Sequence, residues 1–234
     1  MPVFEISDFV SRSLPLSFDT RLSNQVFILF LLCLGLPFLV DLHLPLLEGQ
    51  LVRGVENVQA FLLLFCAIFS YFYIRPFDLA DGQKQFWLWA ICWWLLLFGR
   101  SISWGRDYFP EVPKVYFRAI SIVLIAPVVF MVFSRHLRAE IVRKFKSVSL
   151  PLWVLILSVV GLIAVDSIEH SRAISFIFLH DVAYKDFMEE MYEFPLILGL
   201  FMMTLHIMKQ DKPPVVVAEP VYLELDDHEA VAKN

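Results

Sequence analysis

Residues 147–165 read SVSLPLWVLILSVVGLIAV and contain no acidic or basic side chain. The hydrocarbon core of a bilayer is about 30 Å thick and needs roughly 20 consecutive apolar residues in a helix. Because lipid cannot satisfy exposed backbone groups, such a segment crosses the membrane as an α-helix. Five further charge-free runs lie at residues 22–40, 57–74, 85–99, 119–134 and 194–205. The pattern predicts an all-α, polytopic membrane protein with six transmembrane helices.

The composition agrees with a single helical membrane domain. Of the 234 residues, 59% are hydrophobic and 18% are charged. We expect an N-terminal interfacial segment at 1–21, a six-helix transmembrane domain at 22–210 and a disordered, acidic cytoplasmic tail at 211–234. The net charge of −5 and the scattered bases do not favour nucleic-acid binding.

Three of the six runs, at 85–99, 119–134 and 194–205, are shorter than the roughly 20 residues that a span requires. Charged residues beside these runs must therefore enter the membrane-spanning helices. Extending each run towards the outer side of the membrane adds Arg100, Arg118 and Glu193. Extending it towards the cytoplasmic side instead adds Lys84, Arg135 and Lys209.

Orientation follows from the lysines and arginines. The most basic connection, residues 135–146, is expected to be cytoplasmic, which places both termini inside the cell. Within it, Leu137, Ile141, Val142 and Phe145 recur at helical spacing between the bases. This pattern is typical of an amphipathic helix on an anionic leaflet.

Acidic residues cluster at the opposite, outward-facing ends of the predicted helices. Asp166 lies at the C-terminal end of its helix, where the negative end of the helix dipole disfavours a carboxylate unless a cation or proton is near. We interpret Asp166, Glu169 and Glu193 as candidate catalytic residues, acting as a general base or as metal ligands. His170 and Glu190 are candidate ligands for a divalent metal, although no known metal-binding spacing is present.

Candidate substrate-binding residues lie beside the same predicted surface. Arg100 is one helical turn from Trp104, and a guanidinium beside an indole can hold a phosphate at head-group depth. Arg106 and Arg118 would complete a basic site for an anionic head group. The alternative is a set of arginines that reach out to the membrane surface beside an ordinary aromatic belt.

Two short motifs carry a family resemblance. The sequence Arg-Ser-Ile-Ser-Trp-Gly-Arg at 100–106, followed by Glu-Glu-Met-Tyr-Glu at 189–193, resembles uncharacterised multi-pass bacterial inner-membrane proteins with a Ser-Trp-Gly-(Arg/Gln) motif and a later Glu-Glu-x-x-Glu motif. Those proteins tend to carry a carboxylate before the Ser-Trp-Gly, where this chain has Ser101 or Ile102. The resemblance implies a bacterial-type inner-membrane location and a shared polar site, and it implies no activity.

Several functions fit these features. One is binding or processing of a lipid or lipid-linked anionic substrate at the outer leaflet, with membrane lipids as partners and no nucleic acid. A second is a scaffold or accessory subunit, in which the charges form a structural ion-pair network and the tail contacts a membrane-protein partner. A third is a proton or cation carrier. Haem ligation through His136 and His206 is a more distant alternative.

Overall fold

The computed structural model describes residues 17–212, which form seven α-helices joined by short turns and 3-10 segments. The helices are α1 (Asn24–Gly35), α2 (Gln50–Ile74), α3 (Asp81–Ser101), α4 (Lys114–Met131), α5 (Arg135–Ser147), α6 (Leu152–Glu169) and α7 (Lys185–Asp211). Two short strands, β1 (Phe18–Asp19) and β2 (Leu150–Pro151), pair in parallel. The all-α prediction is confirmed apart from this pair. Residues 1–16, which hold most of the predicted interfacial segment, and residues 213–234 of the predicted tail lie outside the described residues.

Five helical stretches within residues 17–212 are long and apolar enough to cross a membrane. They are Asn24–Leu42, Leu47–Asp78, Lys114–Met131, Leu152–Glu169 and Val182–Asp211. The expected third span, α3, is not among them. This 21-residue helix includes Asp81, Lys84 and Arg100, and much of its apolar surface comes from tryptophans, whose indole N–H groups are polar.

The helices extend beyond the short charge-free runs as the sequence predicted. Arg100 lies in the last turn of α3, Arg118 lies near the start of α4, and Glu193 lies well inside α7. We call the end of the bundle that contains these three residues the pocket end. It consists of the C-terminal end of α3 and the N-terminal ends of α2, α4 and α7.

Small residues allow α6 and α7 to pack closely. A Cβ atom added to Gly161 of α6 would lie only 3.0 Å from the backbone nitrogen of Leu196 in α7. Gly199 of α7 similarly leaves room for Ser158 of α6. Close backbone contact at small residues is a common basis of helix association in membranes. Helix α2 packs on α3 and α7, whereas α4 packs mainly on α3 and the turn that follows it.

The amphipathic helix α5 is held against the other end of the bundle by a buried ion-pair network. Lys144 of α5 and Asp211 of α7 form an ion pair whose two side chains are each only 6% exposed. Trp87 of α3 donates a hydrogen bond from Nε1 to Asp211 Oδ2 at 2.7 Å. Glu140 accepts a hydrogen bond from Arg143 Nη2 at 2.5 Å, and its carboxylate lies 3.5 Å from Lys144 Nζ. The hydrogen bond from Arg143 lowers the pKa of the Glu140 carboxyl.

This network corrects the expected orientation of α5. Leu137 is fully buried in the protein on the same face as Glu140 and Lys144, so it does not contact lipid. Val142 and Phe145 are exposed, by 48% and 50%. The apolar residues of α5 therefore lie on two different faces of the helix: Leu137 on the buried face, and Val142 and Phe145 on the exposed face. The buried face also contains the charged residues Glu140 and Lys144.

Candidate functional site

The Ser-Trp-Gly motif forms a left-handed turn directly after α3. Ser103, Trp104 and Gly105 have φ angles of 48°, 60° and 93°. Left-handed backbone costs roughly 1–3 kcal/mol at a residue other than glycine, so the surrounding packing must maintain this turn. It brings the Trp104 ring back onto α3 at Gly99, where an added Cβ would lie 2.9 Å from Trp104 Cζ3. Gly99 therefore provides the space that the indole fills.

All four predicted substrate-binding residues line one cavity of about 460 Å³ beside this turn, which we call the basic cleft. Its complete lining is Arg100, Ser103, Trp104, Arg106, Lys114, Phe117, Arg118 and Ser121. Four of these side chains are cationic, and none is a carboxylate. Of these four cations, only Arg106 forms an ion pair within residues 17–212, and its partner is the exposed neighbour Asp107 at 3.7 Å.

The helix dipoles do not account for this concentration of positive charge. Arg100 suits the C-terminal end of α3, but Lys114 is the first residue of α4 and Arg118 follows one turn later. Bases at a helix N-terminus face the positive end of the dipole, and these two also repel each other. An anion in the cleft would relieve both repulsions.

A second cavity of about 260 Å³, the carboxylate pocket, lies between α2, α3 and α7. The polar residues that line it are Glu56, Gln59, Arg100, Ser101, Glu189, Glu190 and Glu193. Gln59 is only 1% exposed and donates a hydrogen bond from Nε2 to the backbone oxygen of Glu190 at 2.6 Å, which ties α2 to α7. Arg100 lines both this pocket and the basic cleft.

The carboxylates of this pocket have no direct arginine partner. Arg100 and Glu193 lie close enough for their charges to interact, yet the ion pairs of residues 17–212 do not include this pair. A structural network would bring the opposite charges into contact, as Lys144 and Asp211 are at the other end of the bundle. Arg100 and the glutamates of the carboxylate pocket instead form no direct ion pair within residues 17–212.

A larger cleft of about 1060 Å³ lies beside these two cavities. It shares Arg106 and Lys114 with the basic cleft, and Glu56 and Ser101 with the carboxylate pocket. The loop between α3 and α4 reaches α2 at this cleft, where the Tyr108 hydroxyl hydrogen-bonds Asn57 Oδ1. The three cavities therefore lie next to one another at the pocket end and share part of their lining.

Asp166 lies in a separate, exposed group at the end of α6. Arg172 binds its carboxylate at 2.5 Å, and His170 lies 3.5 Å away. The expectation that Asp166 needs a cation is thus met by Arg172. The same ion pair holds the pKa of the Arg172 guanidinium above its ordinary value. Asp166 lines none of the three cavities described above.

Of the remaining candidate residues, some lie in the exposed group around Asp166 and others in the carboxylate pocket. Glu169 is half exposed and lies 3.8 Å from His170, while its charge also interacts with that of Glu193. Glu190 and Glu193 line the carboxylate pocket. Within residues 17–212, no group of three or more His, Cys, Asp or Glu side chains has the spacing to hold a metal ion. The catalytic roles of Asp166, Glu169 and Glu193 stay predictions.

Sequence reasoning did not assign site roles to Lys114, Glu56, Gln59 or Arg172. The signal for Lys114 was its position four residues before Arg118, which places both on one face of a helix. Glu56 lies in the second turn of α2, and no spacing in the sequence relates it to the glutamates of α7. Gln59 carries no charge and lies inside an apolar run, so only the packing of α2 on α7 identifies it.

Comparison with known proteins finds no matching family model, no similar curated protein and no similar solved structure.

Proposed function

We propose that this chain is a six-span protein of a bacterial-type inner membrane with both termini in the cytoplasm. Helix α3 would be the sixth span, because 21 residues at 1.5 Å each cover about 31 Å, the thickness of a hydrocarbon core. It packs between α2 and α4, which are both apolar enough to cross. The bases of α5 lie opposite the pocket end, so the positive-inside rule places the pocket end outside.

We propose further that the basic cleft binds the phosphate-bearing head group of a lipid or lipid-linked molecule at the outer leaflet. The observation that carries this proposal is the set of four cations around about 460 Å³ of space with no lining carboxylate. Arginine holds phosphate oxygens through paired N–H donors, and lysine adds a compact charge. Trp104 provides an aromatic wall of the kind found at the membrane interface.

The surface of α4 supports a lipid ligand over a water-soluble anion. Val115, Tyr116 and Ile122 are 63%, 60% and 64% exposed and lie on the helix that supplies Lys114 and Arg118. In a bilayer these apolar side chains face the acyl chains. A head group in the cleft can therefore keep its hydrocarbon tail in the membrane beside α4, at little cost in desolvation.

Lipid binding by the purified full chain tests this proposal, with short-chain phosphatidylglycerol as the probe and native mass spectrometry as the measurement. We expect Arg118→Gln to weaken binding about tenfold, because it removes a charge-assisted hydrogen bond worth roughly 1.5 kcal/mol. Arg138→Gln, which removes an exposed base on α5, is the control and should bind like the parent. Equal affinity of the two variants would refute the proposal.

A further inference from the structure

We propose that the head group bound in the basic cleft is a diphosphate rather than a single phosphodiester, and hence that the ligand is a lipid-linked diphosphate. This inference rests on the proposed phosphate site and identifies the class of its ligand. Three observations carry it: the positive charge that the cleft leaves unbalanced, the N-terminal end of α4, and the number of donors around the cavity.

The bases that α4 contributes to the basic cleft have no acidic partner. On the other side of the cleft, Arg106 forms an ion pair with Asp107, and Arg100 also lines the carboxylate pocket. Lys114 and Arg118 take part in no ion pair within the part of the chain that the structure describes. They lie one helical turn apart and repel each other. A ligand with one negative charge would leave this side of the cleft positive, whereas a second phosphate balances it.

The N-terminal end of α4 adds to this positive charge. Pro113 precedes the helix and provides no side-chain hydrogen bond to its first turn, which contains no acidic residue. Lys114 and Phe117, both in this turn, line the cleft. Free N–H groups at a helix N-terminus attract phosphate oxygens, and the helix dipole there is equivalent to about half a positive charge. Together with Lys114 and Arg118, this end presents more positive charge than one phosphodiester neutralises.

The hydrogen-bond donors of the cleft also exceed those that a phosphodiester can use. A guanidinium binds a pair of oxygens through parallel N–H donors, and a phosphodiester has a single pair of free oxygens. The cleft contains three arginines and one lysine. A diphosphate has free oxygens on both of its phosphates, so it can bind more of these donors together. The volume of about 460 Å³ lies in the range of roughly 300–1,000 Å³ that is typical of small-molecule sites, which leaves room for more than one phosphate.

Farnesyl monophosphate and farnesyl diphosphate, which share one tail and differ by a phosphate, test the inference on the purified full chain by native mass spectrometry. We expect the parent protein to bind the diphosphate about tenfold more tightly, the effect of about one further charge-assisted hydrogen bond. Lys114→Gln should remove most of this preference. Arg53→Gln is the matched control and should keep it, since Arg53 is an exposed base at the same end that does not line the basic cleft. Arg106→Gln replaces Lys114→Gln if the latter fails to fold.

The outcomes separate this inference from the proposed function. Equal affinity for the two farnesyl phosphates, or a preference that Lys114→Gln and Arg53→Gln weaken equally, would overturn the diphosphate inference. The phosphate site would still stand if phosphatidylglycerol binding depends on Arg118, and it would fall if Arg118→Gln binds phosphatidylglycerol like the parent. Inorganic pyrophosphate is a third probe: if it matches the affinity of farnesyl diphosphate, the diphosphate chemistry is supported and the lipid part of the proposed function is refuted.

Discussion

Replacing Lys144 by methionine should destabilise the bundle, because it breaks the buried ion pair between α5 and α7. The Lys144 and Asp211 side chains are each 6% exposed, so the substitution leaves a buried carboxylate without its closest cation. Breaking a buried pair costs roughly 3–5 kcal/mol. Trp87 still donates to Asp211, and Arg143 lies 4.0 Å away, so we expect a loss near the lower limit, about 3 kcal/mol.

The assay is equilibrium unfolding of the detergent-solubilised protein, with helix content as the signal. Lys146→Met is the matched control, because Lys146 is exposed two residues away on α5, and its replacement should change stability by no more than about 0.5 kcal/mol. Adding Asp211→Asn to Lys144→Met should restore part of the loss, since the neutral amide still accepts from Trp87. Equal stability of Lys144→Met and Lys146→Met would refute the assigned role of the network.

The same network predicts the direction of a pH effect. Arg143 lowers the pKa of Glu140 in the folded chain, so Glu140 stabilises the fold fully above its ordinary pKa of 4.5. This contribution is lost as the pH falls through the lowered folded value. Glu140→Gln should therefore flatten the acid side of the stability profile and leave the neutral side parallel to that of the parent.

Two further predictions concern the Ser-Trp-Gly turn and the membrane topology. Gly99→Ala places a methyl group 2.6 Å from Leu124 Cδ1 and against Trp104. Unfolding measurements should therefore show a loss of about 1–3 kcal/mol in the free energy of unfolding. Gly35→Ala is the control, because open space surrounds Gly35, and it should be neutral or slightly stabilising. Wild-type stability of Gly99→Ala would contradict the packing of Trp104. In a cysteine-free background, an impermeant maleimide should label Glu111→Cys in intact cells and label Arg138→Cys only after permeabilisation, and the reverse pattern would invert the proposed orientation.

The helices were predictable because charge-free runs are a direct consequence of bilayer thickness. The shortness of three runs also predicted correctly that Arg100, Arg118 and Glu193 lie inside helices. Whether α3 crosses the membrane was harder to predict from the sequence. Its apolar surface depends on indole rings, and its first turn is polar. Tryptophan and polar residues lower the mean hydropathy of α3, so this helix is less apolar than the five other stretches.

The grouping of the basic residues was partly predictable from the sequence. Arg100 and Trp104 were paired because they lie one helical turn apart, Arg106 and Arg118 were added as nearby bases, and all four line one cavity, while their role in substrate binding stays a prediction. The partner of Asp166 was not predicted, because it depends on how the chain turns after α6 to return Arg172.

The buried face of α5 was misread for a different reason. Its apolar residues were used to define the packed side of the helix, but Glu140 and Lys144 occupy that side together with Leu137. A one-turn spacing of opposite charges suggests an exposed pair in most helices. Asp211 makes burial possible here, and it lies 67 residues further along the chain.

An experimental density map of the full chain in nanodiscs that contain phosphatidylethanolamine tests the central claim most directly. We predict a phosphate within hydrogen-bond distance of Arg106 and Arg118, with the carboxylate pocket open on the other side of Arg100. An empty basic cleft, with Arg100 in direct contact with Glu193 and the pocket closed, would contradict the account and favour a structural ion-pair network.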